Sequence, residues 1–367
     1  MITAKFGGTA VTATNLHCLK NILTPNHRCV VVSAIGREHP NDTKVTDLLK
    51  SHYLGDQLAW DKICQKYRRL VEVNGINCDV DKLLFSARSR SLAYDLAYCM
   101  SLGEELAGKL VAQFLGAEYL EAQDLIVFNG KRLAESQTFR NIRSAFSGPS
   151  CGVVGGFYGG CNTVATATLS PTEARCVRQT FSRGGGDVTG AICAAATGST
   201  LYENWTDVYG VCLADPKSIS GVVTARNLSY HEMQLLAENG AQVLHPQAVN
   251  YVQKCAIPIK IGNYLNPQGA STLVSNCPSG LPLLLSTERV HKGAYLTTVL
   301  FNLPTQKAVQ LLGEVFCRLS ANTQKNVATP CCNALTVYYC NVTNNRAEIL
   351  TSRSILKDIY KTFASQV

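Results

Sequence analysis

Ile2-Thr3-Ala4-Lys5-Phe6-Gly7-Gly8-Thr9 opens the chain with a short strand pattern that runs directly into two glycines. Glycines after a strand let backbone N–H groups approach an anion, because no Cβ stands in the way. A helix just beyond would add its favourable N-terminal dipole, and Lys5 would add a positive charge. A strand followed by Gly-Gly is also a common plain turn, and no Gly-Lys-[Ser/Thr] closes it as in a P-loop. The stretch therefore predicts the first strand of an α/β unit and a candidate anion site.

Strand and helix patterns alternate along the chain that follows. The apolar run at 29–32 is typical of a buried parallel strand, whereas 45–69 and 90–115 carry helical periodicity. Further strands are predicted within 118–128 and at 151–157 and 257–261, and further helices at 15–23, near Thr189, at 231–238 and at 248–255. This alternation predicts an α/β fold with a largely parallel sheet.

The pattern restarts after a change of composition near Pro278-Ser279-Gly280-Leu281-Pro282. The predicted elements beyond it are a strand, a helix, two strands and a helix, at 293–299, 305–319, 334–340, 346–350 and 352–363. This order is typical of a small α+β ligand-binding module. We therefore expect a first domain at 1–280 and a second at 285–367.

The composition is that of an ordinary globular protein. Of 367 residues, 46% are hydrophobic and 16% are charged, and 34 Lys and Arg against 26 Asp and Glu give a net charge of +8. Collagen-like, disordered and disulfide-rich miniprotein classes are excluded. Because the positive charge forms no dense basic block, it favours small anionic ligands, and we expect no nucleic-acid partner.

The 16 cysteines are scattered singly apart from Cys331-Cys332, with no Cys-x-x-Cys and no zinc-finger spacing. Such usage is typical of free thiols in a reducing cytosol, so we expect a cytoplasmic protein whose side chains build no metal site. The residues after Met1 contain no signal-peptide apolar stretch, and no uninterrupted apolar run of about 20 residues occurs. We expect neither secretion nor contact with a membrane.

A second glycine turn, Ser182-Arg183-Gly184-Gly185-Gly186-Asp187, precedes a predicted helix. Three glycines at that position form another anion-accepting turn, and an arginine can hold a carboxylate bidentately. Asp187 can orient a lysine, bind through Mg²⁺ or help to activate an attacking group. The alternative is a flexible loop with solvated charges.

Two further segments carry weaker signals. The segment Asn204–Gly210, followed by Leu213–Lys217, places Thr, Asp, an aromatic residue and a lysine at a strand end, as a nucleotide pocket requires. By itself it is as easily a turn. Glu104, in Ser101–Glu105, could accept a substrate ammonium group, although a glutamate on a helix is normally a solvated surface residue.

These segments belong to a longer ordered set of motifs within residues 1–275. The set comprises Lys5–Thr9, Ser33–Gly36, Lys44–Asp47, Gly103-Glu104, Gly156–Gly159, Phe181–Asp187, Tyr202–Val208, Ala214–Pro216, Gly240–Pro246 and Pro267–Thr272. In this order the motifs strongly resemble the aspartate kinases of the amino-acid kinase superfamily. The resemblance implies a three-layer α/β/α sandwich with a mainly parallel sheet, followed by an ACT-like regulatory or dimerisation domain, and a homodimer or higher homo-oligomer.

The resemblance also implies an activity, the transfer of the ATP γ-phosphoryl group to the side-chain carboxylate of L-aspartate. The product, 4-phospho-L-aspartate, leads to lysine, threonine and methionine. By resemblance Lys5 and Asp187 would be catalytic, and Mg²⁺ would ride on the nucleotide phosphates. Aspartate would be held by Thr46, Glu104 on the ammonium and Arg183 on the α-carboxylate. ATP would be held by Gly7, Gly8, Ser33, Thr206, Asp207, Asp215 and Lys217.

Two positions depart from the pattern of that family. Ala10 follows Gly-Gly-Thr where the family usually has serine, and Gly186 stands where it usually has the serine of Arg-Gly-Gly-Ser-Asp. Each lost hydrogen bond to a charged group costs roughly 1.5–3 kcal/mol, so catalysis could slow many-fold. The tail has room for one ACT-like module where family members typically carry two.

Three hypotheses follow from these observations. The first is an active aspartate kinase, which the retained charged residues favour. The second is an amino-acid kinase that phosphorylates an aspartate analogue in a specialised pathway, which Gly186 favours. The third is a non-catalytic regulatory subunit that binds nucleotide or amino acid, which the short tail and the two missing hydroxyls favour.

Overall fold

The computed structural model of the chain describes residues 1–162, 177–182, 184–212, 222, 224–238 and 243–277, and the backbone of 284–289, 295–302, 332–333 and 336–343. Its strands are β1 (Ile2–Phe6), β2 (His27–Val32), β3 (Glu118–Leu120), β4 (Val127–Asn129), β5 (Arg132–Leu133), β6 (Gly152–Gly155), β7 (Tyr158–Cys161), β8 (Arg178–Thr180), β9 (Leu201–Thr206), β10 (Asn227–Ser229), β11 (Ile259–Asn263), β12 (Ser271–Ser275), β13 (Leu284–Arg289), β14 (Tyr295–Asn302), β15 (Cys332–Asn333) and β16 (Thr336–Thr343). Its helices are α1 (Cys18–Ile22), α2 (Val45–Tyr53), α3 (Gln57–Asn74), α4 (Val80–Ala93), α5 (Leu96–Leu115), α6 (Ala122–Leu125), α7 (Glu135–Ala145), α8 (Gly185–Thr197), α9 (Tyr230–Glu238) and α10 (Pro246–Lys254).

A parallel sheet forms the centre of the first of two compact units, which comprises residues 1–209 and 247–269. Its strand order is β11-β9-β1-β2-β6-β3, and each of these neighbours pairs in parallel. The strand β1 lies between β2 and β9, with Lys5 in register with Val31 on one side and Asn204 on the other. The carboxyl ends of these strands therefore meet at one edge of the sheet, where ligands bind in open α/β folds.

Alternate residues of the central strands face two separate hydrophobic cores. Val30 and Val32 of β2 belong to one core, which is completed by side chains of α2, α3, α4 and α5. Cys29 and Val31 of the same strand belong to the other core, which is completed by side chains of α6, α7 and α8. Because successive side chains of a strand point to opposite faces, helices cover both sides of the sheet. The predicted three-layer α/β/α arrangement is confirmed.

Two helices predicted as continuous are broken in the structure. The stretch predicted at 45–69 forms α2 and α3, and between them Gly55 adopts a φ of +102°, which suits glycine alone. The stretch predicted at 90–115 is divided between α4 and α5, since the Asp95 carboxylate accepts a hydrogen bond from the Tyr98 N–H at 2.9 Å and starts a new helix. The periodic apolar positions continue across both breaks, so periodicity alone does not reveal them.

A smaller sheet in the same unit has the strand order β5-β4-β7-β8. The strands β7 and β8 are antiparallel, and Gly160 of β7 is in register with Arg178 of β8. This pairing fixes the strand that leads into the second glycine turn.

The second unit comprises the described parts of 210–246 and of the chain from residue 270 onward. In it β10 pairs in parallel with β12, and β13, β14, β16 and β15 form an antiparallel sheet in that order. The strands predicted at 293–299 and 334–340 correspond to β14 and β16. The predicted helices at 305–319 and 352–363 and the predicted strand at 346–350 lie outside the described residues. The domain bounds of 1–280 and 285–367 stay predictions.

No helix among the described residues is long and apolar enough to cross a membrane. The cysteines of residues 1–277 that the structure describes are free thiols. Five of them, in strands and helices of the first unit, are buried: Cys18, Cys29, Cys64, Cys99 and Cys193. Their use as small apolar side chains agrees with the prediction.

Candidate active site

Lys5 and Asp187 form a nearly buried ion pair at the carboxyl edge of the central sheet. Lys5 Nζ lies 2.6 Å from Asp187 Oδ1, and the two side chains are 10% and 12% exposed. Lys5 comes from the middle strand β1, and Asp187 lies in the first turn of α8, where the helix dipole favours a carboxylate. The structure therefore brings together the two residues predicted to be catalytic, and their role in catalysis stays a prediction.

The second glycine turn ends where α8 begins, at Gly185, earlier than the predicted start near Thr189. That prediction was wrong because glycines contribute no side-chain periodicity from which a helix start could be recognised. Gly184 precedes the helix with a φ of +80°, which favours glycine. A Cβ on Gly186 would lie 3.1 Å from Ser33 Oγ and 3.4 Å from Lys5 Cε. The first turn of α8 therefore borders both the lysine and the loop after β2.

The first glycine turn packs closely against the loop after β2. A Cβ on Gly8 would lie 2.5 Å from the Ala34 carbonyl oxygen, and the Gly36 N–H donates to the Gly8 carbonyl at 2.8 Å. A Cβ on Gly7 would meet only ordinary contacts, the nearest being the Trp205 carbonyl oxygen at 3.6 Å and Lys5 Nζ at 3.9 Å. Gly8 is thus required by backbone packing, whereas a Cβ at Gly7 would fit beside the lysine at ordinary contact distances.

Phe157 ties the turn after β6 to α8. It adopts a φ of +76°, a conformation that costs free energy in a residue with a side chain and persists where neighbours hold it. Its N–H donates to Thr189 Oγ1 at 3.0 Å, and its carbonyl accepts from the Phe181 N–H at 2.8 Å. The strained residue thereby fixes both the start of the second glycine turn and the first part of α8.

Glu104 presents a buried carboxyl group beside the loop after β2. It lies on α5 and is 5% exposed, and its Oε2 atom has no hydrogen-bond partner among the described residues. Burial raises the pKa of Glu104 to about 8, although hydrogen bonds from the backbone of Ala34 and of Glu104 itself act in the opposite direction. An acceptor oxygen held dry and unpaired is suited to a cationic ligand group, as the resemblance implies for the substrate ammonium.

Three other predicted ligand contacts, Thr46, Thr206 and Asp207, are among the described residues. Thr46 is half-buried in the first turn of α2, and the N–H of its neighbour Val45 donates to the Ile35 carbonyl at 3.1 Å. Thr206 ends β9, and its hydroxyl donates to the exposed Asp207 carboxylate at 3.2 Å. The remaining predicted contacts, Arg183, Asp215 and Lys217, lie outside the described residues.

Two residues of β9 hold Asp187, a role that the sequence did not reveal although both lie in motifs noted there. The Tyr202 hydroxyl donates to the Asp187 carbonyl at 3.0 Å, and Asn204 Nδ2 lies 3.5 Å from Asp187 Oδ1. Asn204 is also in register with Lys5. A buried asparagine in a central strand was the available signal, because such polar groups need partners.

A second charged cluster, also missed, surrounds Glu105, the neighbour of Glu104. Its carboxylate is 1% exposed and forms ion pairs with Arg90, Lys109 and Arg178. Burial alone would raise the pKa of Glu105, but the Arg90 hydrogen bonds and the charges of Arg178 and Lys109 lower it to about 2. Two adjacent glutamates of one helix thus have opposite environments.

The arrangement can bind anions and neutralise negative charge near Lys5. The first glycine turn and the N-terminal end of α8 both lie beside the lysine, and a helix N-terminus favours anions such as the phosphates of a nucleotide. Within the described part of the chain no group of three or more His, Cys, Asp or Glu side chains could hold a metal ion.

Comparison with known proteins identifies the family. A model of the amino acid kinase family matches residues 1–263. Aspartokinase 3 of Bacillus subtilis is 29% identical over 303 residues, which are 75% of this chain and 63% of that protein. Lysine-sensitive aspartokinase 3 of Escherichia coli is 26% identical over 341 residues, 86% of this chain and 73% of that protein. The chain thus spans just under two thirds of the Bacillus relative.

Solved structures of similar fold include two aspartate kinases. The aspartate kinase of Clostridium acetobutylicum superposes with a TM-score of 0.78 at 22% identity, covering 99% of this chain and all of that one. Aspartokinase III of E. coli, in complex with aspartate and ADP, superposes with a TM-score of 0.68 at 23% identity, covering 98% of this chain and 83% of that one. At these identities the likeness supports the fold.

Proposed function

This chain belongs to the amino acid kinase family, and on that premise we propose that it phosphorylates the side-chain carboxylate of L-aspartate with ATP. The observation that carries the proposal is the Lys5–Asp187 ion pair, which lies between two glycine turns at the carboxyl edge of the sheet. The names of its relatives support the choice of acceptor, since they are aspartokinases.

The chemistry needs little acid–base assistance. A carboxylate oxygen of aspartate attacks the γ-phosphorus, the bond from that phosphorus to the β,γ-bridging oxygen breaks, and ADP leaves with the electron pair. The attacking oxygen carries no proton at neutral pH, so no general base is required. The obstacle is repulsion between anions, and Lys5 offsets it with its ammonium group. Asp187 holds that ammonium in place at 2.6 Å.

The proposed binding contacts divide into two groups. Aspartate would be held by Glu104 at its ammonium, by Arg183 at its α-carboxylate and by Thr46. ATP would lie along the first glycine turn, the loop after β2 and the end of β9, held by Gly7, Gly8, Ser33, Thr206, Asp207, Asp215 and Lys217. Mg²⁺ bound to the phosphates would neutralise part of their charge.

The wider biological setting belongs to the same proposal. The product 4-phospho-L-aspartate would serve lysine, threonine and methionine biosynthesis in the cytoplasm. The chain would be organised as a kinase domain at 1–280 and an ACT-like domain at 285–367, assembled as a homodimer or higher homo-oligomer.

One observation favours a second acceptor, an aspartate analogue. Gly186 offers no hydroxyl where the family usually has a serine, at a position whose Cβ would lie 3.1 Å from Ser33 Oγ and 3.4 Å from Lys5 Cε. A site that lacks this contact would suit an acceptor other than aspartate. A subunit that only binds ligands is less favoured, because the buried lysine–aspartate pair is retained and such a pair is costly to bury unless it is used.

The test is an assay with purified protein, Mg-ATP, L-aspartate and hydroxylamine, which traps an acyl phosphate as a hydroxamate. We expect hydroxamate formation that depends on L-aspartate and falls at least a hundredfold in Lys5→Ala, an order of magnitude typical for loss of a charge-stabilising group. Lys62→Ala, a change at an exposed lysine of α3, is the matched control and should retain full activity. Activity with an aspartate analogue alone would favour the second acceptor, and nucleotide binding without any hydroxamate would contradict the kinase.

A further inference from the structure

Arg178 is a buried arginine with contacts to several separate parts of the first unit. It lies on β8 and is 3% exposed. Its Nη1 atom is 2.8 Å from Glu105 Oε2 and donates to Ser101 Oγ at 2.9 Å, and its Nε donates to Gln123 Oε1 at 2.8 Å. Because its Nη1 and Nε groups both have acceptors, the guanidinium is held in one orientation.

Two aromatic rings hold the same guanidinium. Its central carbon lies 4.4 Å from the ring centre of Tyr98 and 4.6 Å from that of Tyr158, distances at which a cation is attracted to an aromatic face. Tyr98 is on α5 and Tyr158 on β7, so the arginine joins this helix to the small sheet. A lysine at this position would keep the positive charge, but its single ammonium group could not make all of these hydrogen bonds or stack flat against the two rings.

Arg178 joins α5, which carries the predicted ammonium ligand Glu104, to β8, which leads into the second glycine turn. On α5, Ser101 and Glu105 flank Glu104, the predicted ammonium ligand. On the other side β8 leads within a few residues into the second glycine turn, where the Gly185 N–H donates to the Ser182 carbonyl at 3.0 Å. The position of the turn relative to Glu104 therefore depends on the arginine that connects their parent elements.

The same cluster explains why Glu104 lacks a cationic partner. Arg90, Lys109 and Arg178 all form ion pairs with Glu105, and Arg178 also pairs with Glu121 at 3.4 Å. Within the described part of the chain no ion pair involves Glu104, although it is adjacent to Glu105 in the helix. Glu105 thus retains the protein's own cations and leaves the Glu104 carboxyl available to a cation that arrives with a ligand.

We propose that Arg178 is a positioning residue that sets the distance between Glu104 and the second glycine turn, and thereby the affinity for the amino-acid acceptor. This inference rests on the proposed function, since the acceptor is the substrate of that reaction. The nucleotide contacts at Gly7 and Gly8 lie on other elements, so the effect is specific for the acceptor.

The test compares Arg178→Lys with Lys109→Met in steady-state kinetics. Lys109 also pairs with Glu105, but both residues lie on α5, so this control removes a cation without disconnecting two elements. We expect Arg178→Lys to raise KM for L-aspartate by about tenfold or more, with KM for ATP changed less than about twofold, as for loss of binding rather than of chemistry. Lys109→Met should change neither KM by more than about twofold. Equal effects of the two variants on KM for aspartate, or an equal rise in both KM values for Arg178→Lys, would overturn the proposal.

A second variant excludes misfolding as the cause. The double substitution Arg178→Met with Glu105→Gln removes the buried cation together with its principal carboxylate partner, and such neutral replacements are often tolerated. We expect this variant to unfold in a single cooperative transition, at a melting temperature lowered by the loss of the Glu105 pairs with Arg90 and Lys109, while KM for aspartate stays raised. A normal KM in this folded variant would show that Arg178 has no positioning role.

A final measurement separates this inference from the proposed function. Hydrogen exchange of the ligand-free protein reports on the amides at 184–190 without any turnover. Arg178→Lys should accelerate their exchange relative to Lys109→Met. If the wild type forms no hydroxamate, the proposed function fails, yet faster exchange still supports the positioning role. Unchanged exchange at these amides refutes that role whether or not the enzyme is active.

Discussion

At the residue scale, the two adjacent glutamates of α5 show how strongly environment governs charge. Glu104 is buried without a cationic partner, and its pKa rises to about 8. Glu105 is buried with three cations, which lower its pKa to about 2. The two carboxyls have the same ordinary pKa, so the difference comes entirely from what surrounds each.

The raised pKa of Glu104 predicts a specific pH dependence of stability. A folded-state pKa of about 8, above the ordinary 4.5, means that its contribution to stability is complete below 4.5 and is lost as pH rises through 8. We expect the wild type to lose up to about 1.4 kcal/mol per pH unit from this group as pH rises toward 8. Glu104→Gln should lack that loss, as measured by urea unfolding between pH 6 and 9.

Glu118→Gln serves as the control for that experiment, because Glu118 is exposed on β3. It should follow the wild-type pH dependence, and Glu105 does not interfere because its pKa of about 2 lies far below the range tested. If Glu104→Gln and the wild type lose stability in parallel from pH 6 to 9, the Glu104 carboxyl is already ionised in the folded protein.

At the element scale, the two caps of α5 decide where this largely buried helix begins and ends. The helix begins at the Asp95 cap and ends at Gly116, whose φ of +65° closes it in the left-handed conformation. Between these ends it carries Ser101, Glu104 and Glu105, so a shift of its start would move three site-related side chains together. The break before Asp95 thus sets the register of the helix in the core.

Asp95→Ala is expected to destabilise the protein by about 1 kcal/mol, the usual cost of removing an N-cap. The reason is that the Tyr98 N–H loses its acceptor at the start of the helix. Asp95→Asn keeps an acceptor oxygen and should cost much less. Urea unfolding of both variants checks this, and equal losses for Ala and Asn would show that the charge rather than the cap stabilises α5.

At the scale of the whole molecule, the candidate site is built from several elements of the first unit. Lys5 comes from β1, Glu104 from α5, and Asp187 from α8. Because a ligand bound to all three is bound only by the folded unit, binding and unfolding are thermodynamically linked.

Mg-ATP is therefore expected to stabilise the folded protein, by about 2.7 kcal/mol when its concentration is a hundred times its Kd. Lys5→Ala should lose much of this stabilisation at the same nucleotide concentration, since the phosphates lose their ammonium partner. Mg-AMP, which lacks the β- and γ-phosphates, provides the matched ligand control. Thermal unfolding with each nucleotide measures the effect, and equal shifts for wild type and Lys5→Ala would place the phosphates away from Lys5.

The fold class and the glycine turns could be predicted from the sequence. Short apolar runs and helical apolar patterns depend on local backbone geometry, and so β1, β2, β6, β11 and α9 could be predicted, whereas β9 and the strands of the small sheet other than β4 were missed. Gly8 could also be singled out, because a glycine directly after a strand indicates a place where a side chain would not fit. In the structure a Cβ on Gly8 would lie 2.5 Å from the Ala34 carbonyl oxygen.

Which charged residues act together could be seen only in the folded protein. Glu104 and Glu105 are indistinguishable in sequence, and their different environments arise because Arg90, Lys109 and Arg178 converge on Glu105 from three elements. The breaks at Gly55 and Asp95 and the early start of α8 were likewise missed. Local patterns report what a segment prefers, whereas burial and pairing depend on distant segments that the fold brings into contact.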